Sequence, residues 1–351
     1  MKASRHYILG QNNNKLITQI KFASAPSSAV ATVPNLKFNK KNWFSFELDD
    51  ASVSLQSALN IFNQLFYTDG CGNNINYRLG LALNGASNYS GLEEKYDGSN
   101  PSQTTVQVIN QILVAGGDLS DHSYFHEPEG YGAGVTPLEN TIRMQDYILR
   151  KFNGYKVRSK AVPTNYEGHA TAAYNQGYLY STSTGTFDNF TPVGLYTPLG
   201  DFGLVPTFGA LRRAFTDSWV DSYDEIKTFV DTLLTKENWF LRLGSHGIDN
   251  LQAFTNYFNY IKNQSNDRLL VSTTREIFEY REMKNLPITQ NLVGDTLTIE
   301  VDLTNLSNKN RWKDLSFNVN SNSTIQSVTS NATSASFNSS TGLVNIFKQT
   351  Y

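Results

Sequence analysis

Two of the five histidines in this 351-residue chain stand four apart, in His122-Ser123-Tyr124-Phe125-His126. On a helical turn, residues four apart project to the same side. That is the spacing of imidazole metal ligands, and it equally suits a pair of surface or capping histidines. A second candidate is the pair Asp49-Asp50, at the end of the apolar run Phe44–Leu48. Adjacent carboxylates on a strand point to opposite faces unless the strand ends there. At the carboxyl edge of a barrel strand both reach the mouth, where the active sites of such barrels sit. Asp50, just before ASVSLQSALN, is equally suited to cap a helix. His246 in LRLGSHG follows another apolar run and is expected at the same edge, although a lone histidine there is more often structural. His169 in NYEGHA is a weaker version of that signal, and His6 receives no role. The single cysteine, Cys71, excludes an intramolecular disulfide and a cysteine-based zinc site.

Bringing these residues together requires a scaffold, and the periodicity supplies one. Residues 1–40 are polar with short alternating runs such as Lys15 to Phe22, and Pro26 and Pro34 punctuate SAPSSAVATVP. They read as an N-terminal arm or linker. From residue 41 to 287, short apolar runs alternate with helical periodicity. NWFSFELDD, INYRLGLALNG, YKVRSKAVP and NWFLRLGSH read as strands, and RLLVSTTREIFEYREM closes the series. Val53 to Tyr67, TTVQVINQILVAGG and Leu251 to Asn263 read as helices. Thr136-Pro137-Leu138-Glu139 and Ser222-Tyr223-Asp224-Glu225 read as capping boxes that open two more. Strands alternating with helices argue for an α/β barrel with parallel strands. Residues 181–215 interrupt the rhythm with Gly, Thr, Phe and Tyr. A loop of that length is usually functional. Residues 288–351 alternate Ser, Asn and Thr with apolar residues and read as a small all-β module.

Taken in order, these segments resemble the polysaccharide deacetylase family of metal-dependent carbohydrate esterases, over residues 41–285. The most specific piece is Gly116-Gly117-Asp118-Leu119-Ser120-Asp121-His122-Ser123 with His126. It is similar to the family's His-Ser-x-x-His segment, and FELDD resembles its aromatic-x-Asp-Asp strand end. The resemblance implies a distorted (β/α) barrel of the polysaccharide deacetylase type, followed here by the all-β module. It implies Asp50, His122 and His126 as ligands of one divalent ion, with Asp49 as general base and His246 as general acid. One carboxylate and two imidazoles suit Zn²⁺ and other first-row divalent ions. Asp121 or Asp118 is a candidate to hold the second nitrogen of an imidazole. The implied substrate is an acetylated polysaccharide, carrying N- or O-acetyl groups. The chain departs from the family pattern in several places. Ala51 stands where the family has glycine, and Arg158 and Pro163 are separated by SKAV, so Arg158 is only a loose match for the arginine that would orient Asp49. No Asp-Trp pair occurs in STSTGTFDNF. Leu243 and His246 are one residue further apart than usual.

Composition limits the alternatives. Hydrophobic residues make up 39% and aromatics 13%, enough to fill a sizeable core and to exclude wholesale disorder. The length fits two domains of about 150 residues each, or one large barrel with an appendage. Charged residues are 17% and net charge is -2, so neither nucleic acid nor an anionic membrane is an expected partner. No stretch approaches the ~18 apolar residues of a membrane span. The opening MKASRHYILGQNNNK lacks a signal-peptide run. An extracellular, cell-surface or virion-associated setting is the expectation, reached through another route or after loss of a leader. A competing reading is a glycan-binding or structural module of a virus tail or surface assembly, joined to a larger assembly through the arm or the β module. In either case the aromatics of residues 181–219 would stack on sugar rings or simply cover the barrel mouth.

Overall fold

The computed structural model describes residues 14–50, 52–86, 96, 102–126, 135–185, 192–199 and 209–349. Expectations for residues 1–13, Ala51, the glycine-rich loop 127–134, segments 186–191 and 200–208, and the last two residues lie outside the described residues. In chain order the strands are β1 (Lys15–Phe22), β2 (Ala29–Thr32), β3 (Asn42–Asp49), β4 (Phe66–Thr68), β5 (Asn74–Asn76), β6 (Gly80–Leu83) and β7 (Asp118–Asp121). They continue as β8 (Ser159–Ala161), β9 (Tyr180–Ser183), β10 (Pro192–Val193), β11 (Tyr196–Pro198), β12 (Gly209–Arg212), β13 (Ala214–Phe215), β14 (Trp239–Ser245) and β15 (Leu269–Val271). The last six are β16 (Ile288–Val293), β17 (Thr296–Asp302), β18 (Leu315–Ser321), β19 (Ile325–Ser330), β20 (Ser334–Asn338) and β21 (Leu343–Phe347). The helices are α1 (Leu55–Phe62), α2 (Val106–Val114), α3 (Pro137–Lys151), α4 (Glu167–Asn175), α5 (Tyr223–Leu234), α6 (Leu251–Ser265) and α7 (Thr274–Lys284).

Among the described residues the chain divides into two compact units. Residues 40–68 with 74–278 form the α/β unit, and residues 14–39, 69–73 and 279–349 form an all-β unit with the end of α7. The α/β unit is built on an eleven-stranded sheet in the order β10-β12-β9-β8-β7-β6-β3-β14-β11, with β13 on β14 and β15 on β3. Its pairings are parallel except β11 with β14. One edge of β3 carries β14 along its length. The other is shared by β15, against Asn42–Phe44, and β6, against Glu47–Asp49. The sheet therefore curls into a distorted, open α/β barrel, the expected fold class.

Strand β3 shows why it curls. Phe44 packs on Tyr257 and Phe258 of α6, and Phe46 on Phe62, Trp219, Phe254 and Phe258. The alternate residues Ser45, Glu47 and Asp49 point the other way, where they meet Thr274, Thr182 and Arg213. Apolar side chains thus bind the helices to the outside of the barrel, and polar ones fill its interior. Each fully buried phenylalanine contributes roughly 1.5–3 kcal/mol, so this aromatic layer fixes β3 firmly.

The N-terminal segment is not the arm or linker expected from its prolines. β1 pairs antiparallel with both β17 and β19, and β2 pairs with β18. The result is two four-stranded antiparallel sheets, β16-β17-β1-β19 and β2-β18-β21-β20. The cause is visible in β1: Leu16, Thr18, Ile20 and Phe22 are buried, a period-2 face that needs partners. Ile20 and Phe22 share a core with Leu297, Ile299, Val301, Phe317, Val344 and Ile346. No helix follows Lys284 among the described residues, as the β-rich pattern of the tail requires.

Ile20→Ala is expected to destabilise the β unit by ~2–5 kcal/mol, measured by chemical denaturation, whereas Lys21→Ala in the same strand stays within about 0.5 kcal/mol. Equal, small effects at both positions would mean that β1 is not a core strand.

Candidate metal centre and acid–base pair

Register brings the candidate residues to one edge. β14 runs beside β3 with Ser245 opposite Leu48, so His246 follows at the level of Asp49. Asp49 lies opposite Ala82 of β6, and Leu83 lies opposite Asp121 of β7. Asp49, Asp50, His122 and His246 therefore all leave the carboxyl ends of parallel strands, where such barrels place their chemistry.

Asp50 does not cap α1, whose N-cap residue is Ser54. It takes a left-handed conformation with φ 61°, which aspartate tolerates better than most residues. That turn carries its side chain to Asn84, whose Nδ2 donates to Oδ1 at 2.7 Å, and the Tyr96 hydroxyl in turn donates to Asn84 Oδ1. His122 and His126 are not on a helical turn. They lie on the irregular segment after β7, where Ser123 (φ 66°) and His126 (φ 63°) both have positive φ. Several backbone hydrogen bonds hold this segment. The His122 amide donates to Leu83 O, the amides of Gly85 and Ala86 donate to Tyr124 O, and the Ser123 amide donates to Asp121 Oδ1. Gly85 is required here, because a Cβ at that position would overlap the Tyr124 ring.

Three side chains converge. His122 Nε2 and His126 Nε2 lie 3.7 and 3.8 Å from Asp50 Oδ1, and one ligand atom from each residue fits within 4.8 Å of the others. Ligands ~2.1 Å from a tetrahedral ion stand ~3.4 Å apart, so small adjustments would close the set. The His122 ring shows the intended tautomer. Its Nδ1 donates to the carbonyl of Ala161 at 2.9 Å, leaving Nε2 as the lone-pair nitrogen. That Nε2 is buried and has no hydrogen-bond partner, a costly state unless something binds it. Burial also pushes the imidazole below the usual histidine range, against the pull of Asp49 and Asp50. It is therefore held neutral, as a metal ligand must be.

The carboxylates expected behind the imidazoles are engaged elsewhere. Asp121 accepts from Lys160 Nζ at 2.9 Å and from the Tyr178 hydroxyl at 2.9 Å. Asp118 pairs with Tyr155 and Arg275. Lys160 and Asp121 are both fully buried, an ion pair that holds the strand leading into His122. His169 does not follow a strand. It lies in α4, buried, with its Nδ1 3.2 Å from Ser123 Oγ, where it braces the same segment.

Asp49 lies 4.0 Å from His122 Nε2. Arg213, just past β12, clamps it: Nη1 meets Oδ1 at 2.8 Å and Nη2 meets Oδ2. The same Nη1 reaches Glu47 Oε2 at 3.0 Å. Burial opposes the charge of Arg213, but Asp49 and Glu47 more than offset it and raise its pKa. Burial likewise pushes Glu47 up, opposed by Arg213 and reinforced by Asp49. The cation that holds Asp49 is thus Arg213, which the sequence reading did not single out. His246 is half-exposed, its ring packed edge-on to Phe215. Asp217 accepts from its amide at 3.0 Å and from Nδ1 at 3.0–3.1 Å, which leaves Nε2 as the other ring nitrogen. Trp219 anchors the next turn, with Nε1 donating to Gly247 O at 2.9 Å. Asp217 and Trp219, in Thr216-Asp217-Ser218-Trp219 after a two-residue strand, hold the His246–Gly247 turn and are not among the residues that the sequence pattern singles out.

No protein-family model matches the chain, and no curated protein matches it. Among solved structures it is similar to the Xyl-CE4 domain of a multidomain xylanase from the hindgut metagenome of Trinervitermes trinervoides, at 14% identity and a TM-score of 0.43, covering 70% of this chain and 92% of that one. It is similar to a family 4 carbohydrate esterase from Streptomyces lividans, at 15% identity and a TM-score of 0.40, covering 67% and 93%. It is also similar to a CE4 family pseudoenzyme from Bacillus anthracis, at 14% identity and a TM-score of 0.39, covering 64% and 62%.

In chelator-treated protein, His122 should make stability fall as pH drops below about 6.5. The unfolded chain protonates this imidazole there, while the folded chain keeps it neutral to lower pH, so protons favour unfolding. His122→Gln should flatten that part of the profile in thermal melts. An unchanged profile would show that the ring is not held neutral by the fold.

Proposed function

We propose that the chain is a metal-dependent hydrolase that removes acetyl groups, as N- or O-acetyl, from a polysaccharide. The observation that carries this reading is the buried His122 Nε2, tautomer-fixed, unpartnered and facing a carboxylate and a second imidazole. Asp50, His122 and His126 would hold the ion, and this donor set suits Zn²⁺. When bound, such an ion lowers the pKa of water and polarises an acyl carbonyl.

The chain's own residues account for the proton movements. Asp49 takes the proton from water as it adds to the acetyl carbon. The Arg213 fork keeps this carboxylate fixed in position. His246 delivers a proton from Nε2 to the departing sugar nitrogen or oxygen, and Asp217 keeps the ring turned for that transfer. The acyl bond breaks, giving acetate and the free sugar amine or hydroxyl. Positioned proton transfer of this kind is typically worth ~10²–10⁴-fold for each group.

The test is acetate release from a panel of N- and O-acetylated glycans, with and without chelator. Chelation should abolish release, and added Zn²⁺ should restore it. Asp49→Asn should lower turnover by ~10²-fold or more while leaving one ion bound by elemental analysis. His122→Ala should lose both the ion and the activity. Metal-independent release, or near-normal turnover in Asp49→Asn, would overturn the mechanism.

Arg213→Met is expected to cut turnover because Asp49 loses the fork that fixes it, while Arg213→Lys recovers part of the loss at unchanged thermal stability. Loss of turnover that only tracks loss of stability across the two variants would mean that Arg213 only supports the fold.

A further inference from the structure

On the α/β unit, α1 and α2 enclose a groove of about 930 Å³. Six carboxamides line it: Gln56, Asn60, Asn63, Gln107, Asn110 and Gln111. Leu59, Val106, Val114 and Ala115 supply the apolar part, and no charged side chain is among the described residues that line it. Val114 is 77% exposed, a large apolar side chain left in water. Gln56 Nε2 donates to Asn60 Oδ1 at 3.0 Å, which orients both amides.

This chemistry is selective. A carboxamide offers both donors and acceptors without charge, the complement of sugar hydroxyls and acetamido groups. The apolar side chains suit the C–H faces of a sugar ring. With no fixed charge among these described residues, they gain nothing from a phosphate backbone or an ionic peptide. Its position favours the same class of ligand. α1 begins a few residues after Asp49-Asp50, and the starts of the two helices are tied by the Ser52–Gln103 bridge and by the Val53 amide on Ser102 O. The groove therefore begins near the edge that carries the candidate site and runs away from it along helices of eight and nine residues. Those helices are about 12–14 Å long, the scale of a short oligosaccharide.

We infer that this groove binds a stretch of uncharged glycan chain, holding the polymer beside the barrel mouth. Its role in turnover rests on the deacetylase reading above, but its binding does not.

The test uses the full chain and two probes, a soluble N-acetylglucosamine pentamer and an acetylated xylo-oligosaccharide. Binding is measured by calorimetry in a His126→Ala background, so that turnover does not consume the ligand. Asn60→Ala/Gln107→Ala/Asn110→Ala, added to that background, is expected to weaken binding of at least one probe by roughly five-fold or more, since each lost hydrogen bond costs ~0.5–1.5 kcal/mol. In the otherwise wild-type chain, the triple variant should raise KM for polymer and leave hydrolysis of a small aryl acetate unchanged. Unchanged affinity for both probes, or no binding of either, overturns the inference. So does a triple variant that alters self-association in sedimentation while glycan affinity stays the same. If groove-dependent binding appears but no acetate is ever released, the groove stands and the deacetylase reading falls.

Discussion

The hydrogen bond from His122 Nδ1 to the carbonyl of Ala161 governs the rest of the site. It joins the end of β7 to β8 and fixes which nitrogen carries the proton. It also turns the other nitrogen, buried and unpartnered, toward Asp50 and His126. A buried polar atom without a partner costs of the order of 1–3 kcal/mol. The surrounding structure bears that cost through a deeper layer: Lys160 on Asp121, the Tyr178 hydroxyl on the same carboxylate, and His169 on Ser123. Removing one partner from such a buried pair strands a charge, so this layer should tolerate change as poorly as His122 itself.

The second half of the site follows the same rule with opposite charge. Glu47 and Asp49 face the barrel interior because their alternate neighbours, Phe46 and Leu48, face outward toward the helices. Two buried carboxylates on one strand face would repel each other, and Arg213 resolves this by reaching both. His246 is stabilised more locally, by Asp217 on its Nδ1 and Trp219 on the adjoining turn. The site is thus assembled from two halves. One is organised around a neutral imidazole and the other around a bridging guanidinium, and they meet where Asp49 comes within 4.0 Å of His122.

Much of this was legible in the sequence where local pattern and tertiary role coincide. The alternation in FSFELDD placed Asp49 at a strand end, the Gly116-Gly117 stop before DLSDHS placed His122, and Thr136 caps α3 through the Glu139 amide as its motif requires. Illegible parts depended on contacts between distant segments. Arg213 is 164 residues from Asp49, and nothing local marks it as that residue's partner. The arm reading of residues 1–40 gave weight to prolines over the period-2 burial of β1, whose partners lie nearly three hundred residues away. His122 and His126 suggested a helical turn by spacing alone. Positive φ at Ser123 and at His126 itself brings them together by a different route. The Ser222 capping box illustrates the opposite failure: α5 begins there, but the serine makes no side-chain cap bond.

The most direct test of the central claim is a crystal structure of zinc-soaked protein with anomalous scattering measured at the zinc edge. The account predicts one strong peak ~2.0–2.2 Å from His122 Nε2, His126 Nε2 and an Asp50 oxygen, with His122 Nδ1 still on the Ala161 carbonyl and Asp49 still on Arg213. A peak at other residues, or His122 turned so that Nδ1 faces the ion, would contradict it.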